Sequence, residues 1–98
     1  MENSILIITS NELSSKIGFG PINTMNKIFN LLKANNFKLT QSRMKTQNFK
    51  RINYPYCILQ FRFDTYYSVD EFDWLKLKLY DCNITMNHSG KWLGEDEN

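Results

Sequence analysis

The fold is decided by residues 57–63, CILQFRF, in which every second side chain is apolar. Cys57, Leu59, Phe61 and Phe63 alternate with a mostly polar set, and a period of two is typical of a strand with one buried face. Residues 4–9, SILIIT, form a continuous Ile-rich run instead. Such a run predicts a strand buried on both faces, hence one in the middle of its sheet.

Two segments carry the helical period. From Pro21, which suits a helix start, apolar residues recur at helical spacing up to Leu32, and Asn35-Asn36 favours a stop because Asn tolerates left-handed backbone. The capping-box pattern Ser68–Glu71 predicts a second helix over residues 69–80. Leu75, Leu77 and Leu79 also alternate as in a strand, but the cap and the acid-to-base charge order favour the helix.

Two further strands complete the pattern. Phe37 to about Thr46 is polar and rich in Lys and Arg, which suits an edge strand, and Asn83–Ser89 closes the chain as a last strand. The predicted fold class is α+β. Its order of strand, helix, strand, strand, helix, strand predicts a ferredoxin-like βαββαβ plait, a four-stranded antiparallel sheet with two helices on one face.

Length and charge restrict the classes of protein. The 98 residues suit one α+β domain over residues 1–94 with an acidic tail at 95–98. No apolar run is long enough for a membrane span, and the acidic N-terminus is unlike a secretory signal, so we expect a cytoplasmic protein. Residues 1–63 hold nine Lys or Arg against two acids, whereas residues 64–98 hold three against eight. Such polarity steers a protein toward a charged partner, or it is an uneven solvated surface.

No residue pattern indicates catalysis. The sole histidine, His88, has no Cys, Ser or acid in a recognised arrangement and is interpreted as a structural residue. Asp70, Glu71 and Asp73 are explained by compensation of the helix dipole rather than by metal binding. We therefore expect a protein that is not an enzyme and that needs no metal or cofactor.

A basic and aromatic segment joins the second and third strands. Arg43, Lys45, Lys50 and Arg51 lie among rings such as Tyr54. Cations for phosphates and rings for bases are the ingredients of RNA or single-stranded nucleic-acid binding. The third strand lacks the Lys/Arg-Gly-aromatic opening of RNA-recognition domains, which weakens that interpretation.

Residues 22–40, INTMNKIFNLLKANNFKLT, resemble the first helix and second strand of ACT domains, the small ligand-sensing domains of amino-acid-metabolising enzymes. Residues 41–43, QSR, are similar to the Glu-Ser-Arg element on the second strand of that family. The resemblance implies a ferredoxin-like fold, pairing of two copies through a sheet edge or helix face, and an amino-acid-sensing regulatory function.

Three hypotheses follow. The first is a protein-binding module of the inhibitor, immunity or anti-defence type found in bacteria and phages. It is suggested by the small size of the chain, the opposite net charges of its two parts and the lack of a catalytic arrangement. The second is an ACT-like amino-acid sensor acting as a homodimer, and the third is nucleic-acid binding through residues 43–56. Aromatics and Arg are frequent interface residues. The predicted partner surface comprises Arg43, Lys45, Lys50, Arg51, Tyr54, Asp70, Glu71 and Asp73.

Overall fold

The computed structural model describes residues 4–10, 20–48, 55–79 and 82–93. These residues form four strands, two α-helices and one 3-10 turn, which confirms the α+β class. The elements in chain order are β1 (Ser4–Ser10), α1 (Gly20–Ala34), β2 (Leu39–Asn48), β3 (Pro55–Phe63), the 3-10 turn (Val69–Phe72), α2 (Asp73–Lys78) and β4 (Asn83–Asn87).

The four strands form one antiparallel sheet in the order β2-β3-β1-β4. The Ile-rich strand β1 is paired on both sides, and Ile5, Leu6 and Ile8 have no exposed surface, so the prediction of a central strand is confirmed. β2, with its Lys and Arg residues, lies at one edge as predicted, and β4 lies at the other. Each helical segment therefore links two strands that have a third strand between them.

Helix α1 ends where its sequence predicts. Asn36 adopts a positive φ of 69°. The N–H of Phe37 donates to the carbonyl of Leu32 (3.1 Å), and the N–H of Asn36 donates to that of Lys33 (3.1 Å). This pair of bonds is a Schellman cap, which satisfies carbonyls that the end of the helix would otherwise leave without donors.

Four predicted boundaries are corrected. Strand β4 ends at Asn87, two residues earlier than predicted. The second helix begins as a 3-10 turn and is α-helical only over Asp73–Lys78. The segment is not a strand: Leu77 is 83% exposed, whereas in a strand it would lie on the same side as the buried Leu75 and Leu79. Strand β2 runs over Leu39–Asn48, two residues later at each end than predicted, with an irregular register between Leu39 and Gln41. Strand β3 already begins at Pro55, since the first residue of a strand tolerates proline.

Both helices pack on the same face of the sheet. That face carries Leu59, Phe61 and Phe63 of the apolar set predicted for β3, and rings from three segments gather at one corner. Phe72 lies 5.5 Å from Phe63 and 4.6 Å from Phe37, measured between ring centroids. The buried core of this face consists of Leu6, Ile8, Ile28, Leu32, Leu59, Phe61, Phe63, Phe72, Leu75, Leu79 and Ile84.

Candidate partner-binding surfaces

The other face of the sheet is closed by the segment that follows β4. Trp92 is only 4% exposed and forms a second apolar cluster with Ile5, Ile7 and Ile58. Ile5 and Ile7 project from β1 on the side opposite Leu6 and Ile8, because side chains alternate along a strand. Two helices therefore cover one face of the sheet, and on the other face an indole ring covers the apolar centre formed by β1 and β3.

Polar contacts hold this segment in place. The side chain of Gln60 accepts a hydrogen bond from the N–H of Leu93 (2.7 Å) and donates a longer one to its carbonyl (3.4 Å). Arg62 Nη2 donates to the carbonyl of Gly90 (2.9 Å), and the Asn87 amide donates to that of Lys91 (2.8 Å). Gln60 and Arg62, the polar residues of β3, thus form hydrogen bonds with the backbone of the segment that follows β4.

Two guanidinium groups lie over the Trp92 ring. The Cζ atoms of Arg43 and Arg62 are 4.5 and 4.4 Å from the ring centroid, within cation–π range. Arg43, one of the predicted partner residues, is exposed on β2 and faces this ring. This described part of the sheet face therefore offers positive charge, while its indole is too buried to stack on a base.

The rest of the predicted basic surface is only partly located. The backbone of Lys45 pairs with that of Ile58 across β2 and β3. Lys50, Arg51 and Tyr54 lie outside the described residues, as do the acidic residues 95–98.

The predicted acidic surface lies at the start of the second helical segment. Asp70, Glu71 and Asp73 are all exposed. Glu71 accepts a hydrogen bond from the N–H of Ser68 (2.9 Å), and Asp73 lies 3.5 Å from the ammonium of Lys76. Two of the three carboxylates thus have local partners that stabilise the segment.

We expect Glu71→Ala to lower the free energy of unfolding by about 1 kcal/mol, the usual effect of losing a helix cap. Asp70→Ala is the matched control, because Asp70 is exposed on the same turn, and it should change stability by less than about 0.5 kcal/mol. Urea denaturation of both variants gives the comparison. Equal effects of the two variants would contradict the capping role of Glu71.

Sequence reasoning missed a cleft beside the edge strand β4. It has a volume of about 390 Å³ and is lined by residues of β4, of the 3-10 turn and α2, and of the segments just before the turn and just after β4. Within the described residues, β4 pairs with β1 only, so its outer edge is open. Met86 and Ile84 provide an apolar floor. The lining residues are Tyr66, Ser68, Val69, Lys76, Ile84, Thr85, Met86 and His88.

His88 is held at this cleft by its neighbours. Its ring stacks on Tyr66 with centroids 4.5 Å apart and an interplanar angle of 18°. Its Nδ1 lies 3.5 Å from the hydroxyl of Ser4, which also accepts a hydrogen bond from the N–H of Tyr67 (2.9 Å). Tyr66 remains 54% exposed, so an aromatic face is presented to a ligand of the cleft.

The comparisons with known proteins bring no relative. No protein family, no curated protein and no solved structure matches this chain. In the part of the chain that the structure describes, no three His, Cys, Asp or Glu residues form a group that could hold a metal ion. None of the described helices is long and apolar enough to cross a membrane.

Proposed function

We propose that this chain is a protein-binding module that adds an extended segment of its partner to the outer edge of β4. The observation that carries the proposal is a strand edge with which no described strand pairs, directly beside a cleft with an exposed aromatic ring. In strand addition, main-chain hydrogen bonds supply affinity and pockets for alternate side chains supply specificity. The proposed class is an inhibitor, immunity or anti-defence protein of bacterial or phage type, which acts by binding a partner protein.

The geometry of β4 supports this mode. Ile84 and Met86 lie on the helix side of the strand, opposite Ile8 and Leu6 of β1, so the cleft continues the apolar surface beyond the sheet edge. A strand added beside β4 directs every second side chain toward that side. The partner segment should therefore carry apolar residues at alternate positions, one of which packs against Tyr66.

The finer fold assignment belongs to the same proposal. Two interleaved strand–helix–strand units support a ferredoxin-like plait, in which the second helix is reduced to a 3-10 turn and six residues.

Selection from a random twelve-residue peptide library, followed by a scan of the peptide with N-methylated backbone amides, tests the proposal. We expect N-methylation to abolish binding at every second residue, because only alternate amides of an added strand point at β4. Tyr66→Ala should weaken binding at least about fivefold, as for a hot-spot aromatic. Leu93→Ala, which removes an exposed apolar side chain from the other face, should leave affinity unchanged.

The alternatives give different results in the same set of measurements. A dimer whose thermal stability rises with one free amino acid would support the ACT-like sensor instead. Retention on single-stranded nucleic acid that falls steeply with salt would support the third hypothesis. An N-methyl scan without a period of two, or an unaffected Tyr66→Ala variant, would reject strand addition at β4.

A further inference from the structure

Strand β4 has a sequence that is symmetric by residue class. Its residues, NITMN, place Asn at both ends, an apolar side chain at the second and fourth positions, and Thr85 at the centre. When two copies pair in antiparallel fashion about Thr85, Asn lies opposite Asn, Ile84 lies opposite Met86, and Thr85 lies opposite its own copy. Residues of one class therefore meet at every position, and opposing Thr residues are a favourable cross-strand pair.

The two edges of the sheet differ in their protection against such pairing. Charged residues, proline and bulges are the features that keep a sheet edge from pairing with another chain. Strand β2 carries Arg43 and Lys45, and its register is irregular between Leu39 and Gln41. Strand β4 carries no charged residue and no proline, and its register with β1 is regular. A second copy therefore meets no like charge along β4.

The β4 cleft suits the same arrangement. Ile84 and Met86 lie on the helix side of the sheet, and a two-fold axis perpendicular to the sheet at Thr85 puts the same two side chains of the second copy on that side. They project into the space beside β4, where Tyr66, 54% exposed, lines the cleft. The alternation of apolar residues expected of a partner segment is thus present in β4 itself.

We propose that two copies of this chain pair through β4 about a two-fold axis at Thr85, which joins their sheets into one continuous sheet. The dimer uses the edge on which the proposed function rests, so it protects that edge until a partner segment displaces the second copy. A strand of five residues makes a small interface, and we expect a dissociation constant on the order of 10–100 µM.

Sedimentation velocity over a range of protein concentrations that spans this value tests the proposal. Thr85→Lys and Thr85→Glu should each weaken the dimer at least about fivefold, because like charges then lie opposite each other on the axis. An equimolar mixture of the two variants should dimerise at least as well as the unmodified protein, since Lys then meets Glu. Gln41→Lys, at an exposed position of the other edge strand, should leave the dimer unchanged. Circular dichroism checks that each variant is folded.

Disulfide formation locates the axis independently of charge. Opposing residues of antiparallel strands have Cα atoms about 4.5–5.5 Å apart, within the range of a disulfide. Thr85→Cys should therefore form an intermolecular disulfide under mild oxidation. Asn83→Cys should not, because its two copies lie about 14 Å apart in this register. The unmodified protein, with Cys57 and Cys82, gives the baseline.

The outcomes separate this dimer from the proposed function. A chain that stays monomeric, a dimer unaffected by Thr85→Lys, or equal disulfide yields from the two cysteine variants would overturn the dimer, even if peptides bind at β4. A β4 dimer for which no peptide can be selected would support the dimer and reject only the proposed function. A selected peptide should convert the dimer to a peptide-bound monomer, and its binding to the intact dimer would overturn the proposal.

Discussion

Replacing Trp92 by alanine is expected to lower the free energy of unfolding by about 3–5 kcal/mol, the usual range for removing a buried Trp or Phe. The indole is 4% exposed and covers Ile5, Ile7 and Ile58, so its loss exposes apolar carbon on the central strand. A domain of this size has only about 5–15 kcal/mol of stability, so this one change removes a large share. Urea denaturation followed by far-ultraviolet circular dichroism measures it.

Leu93→Ala and Arg43→Ala are the controls for this prediction. Leu93 is 44% exposed and contributes its backbone to Gln60, so truncating its side chain should change stability by less than about 0.5 kcal/mol. Arg43→Ala should lose about 0.5–1 kcal/mol, the value of an exposed cation–π contact. A Trp92→Ala variant as stable as Leu93→Ala would show that the indole does not close the sheet.

The second large effect is expected for Phe72→Ala, which should also lose about 3–5 kcal/mol. Phe72 has no exposed surface and contacts the rings of Phe37, Phe63 and Tyr67, at centroid distances of 4.6, 5.5 and 6.0 Å. These rings come from the segments before β2, at the end of β3 and after it, so their contacts join separate parts of the chain. The midpoint of thermal unfolding should fall accordingly.

Leu77→Ala is the matched control for Phe72→Ala. The two residues are five positions apart in one helical segment, but Leu77 is 83% exposed. Its truncation should change stability by less than about 0.5 kcal/mol. If both variants lost the same stability, the second helical segment would not be packed on the sheet through Phe72.

The strands that carry a strong pattern could be predicted from the sequence. The alternation of residues 57–63 placed Leu59, Phe61 and Phe63 on the helix side, and the Ile-rich run of β1 indicated its central position. These predictions hold because a strand buried on one face alternates apolar and polar residues, whereas a strand buried on both faces is a continuous apolar run. Leu75 and Leu79 fitted a helical face and also alternated with Leu77 as in a strand, so the cap formed by Ser68 and Glu71 and the acid-to-base charge order were needed to separate helix from strand.

The closure of the second face could not be predicted from a period. Trp92 and the exposed Leu93 are an isolated apolar pair between Lys91 and Gly94, and one buried side chain has no repeat to reveal it. The available signal was the mixed face of β3, because Ile58, Gln60 and Arg62 needed both an apolar and a polar partner. The β4 cleft was missed because Tyr66 and His88 are distant in sequence and meet only through tertiary packing.

The position of β1 in the sheet also affects how the chain folds during its synthesis on the ribosome. β1 is made first, yet its two neighbours, β3 and β4, begin at Pro55 and Asn83. Both strand partners of β1 are therefore synthesised long after β1 itself. Strand pairings between segments so distant in sequence form slowly. Nascent chains with such exposed strands are prone to aggregate and depend on chaperones. The yield of folded protein in a host cell should therefore rise when synthesis is slower and the temperature is lower.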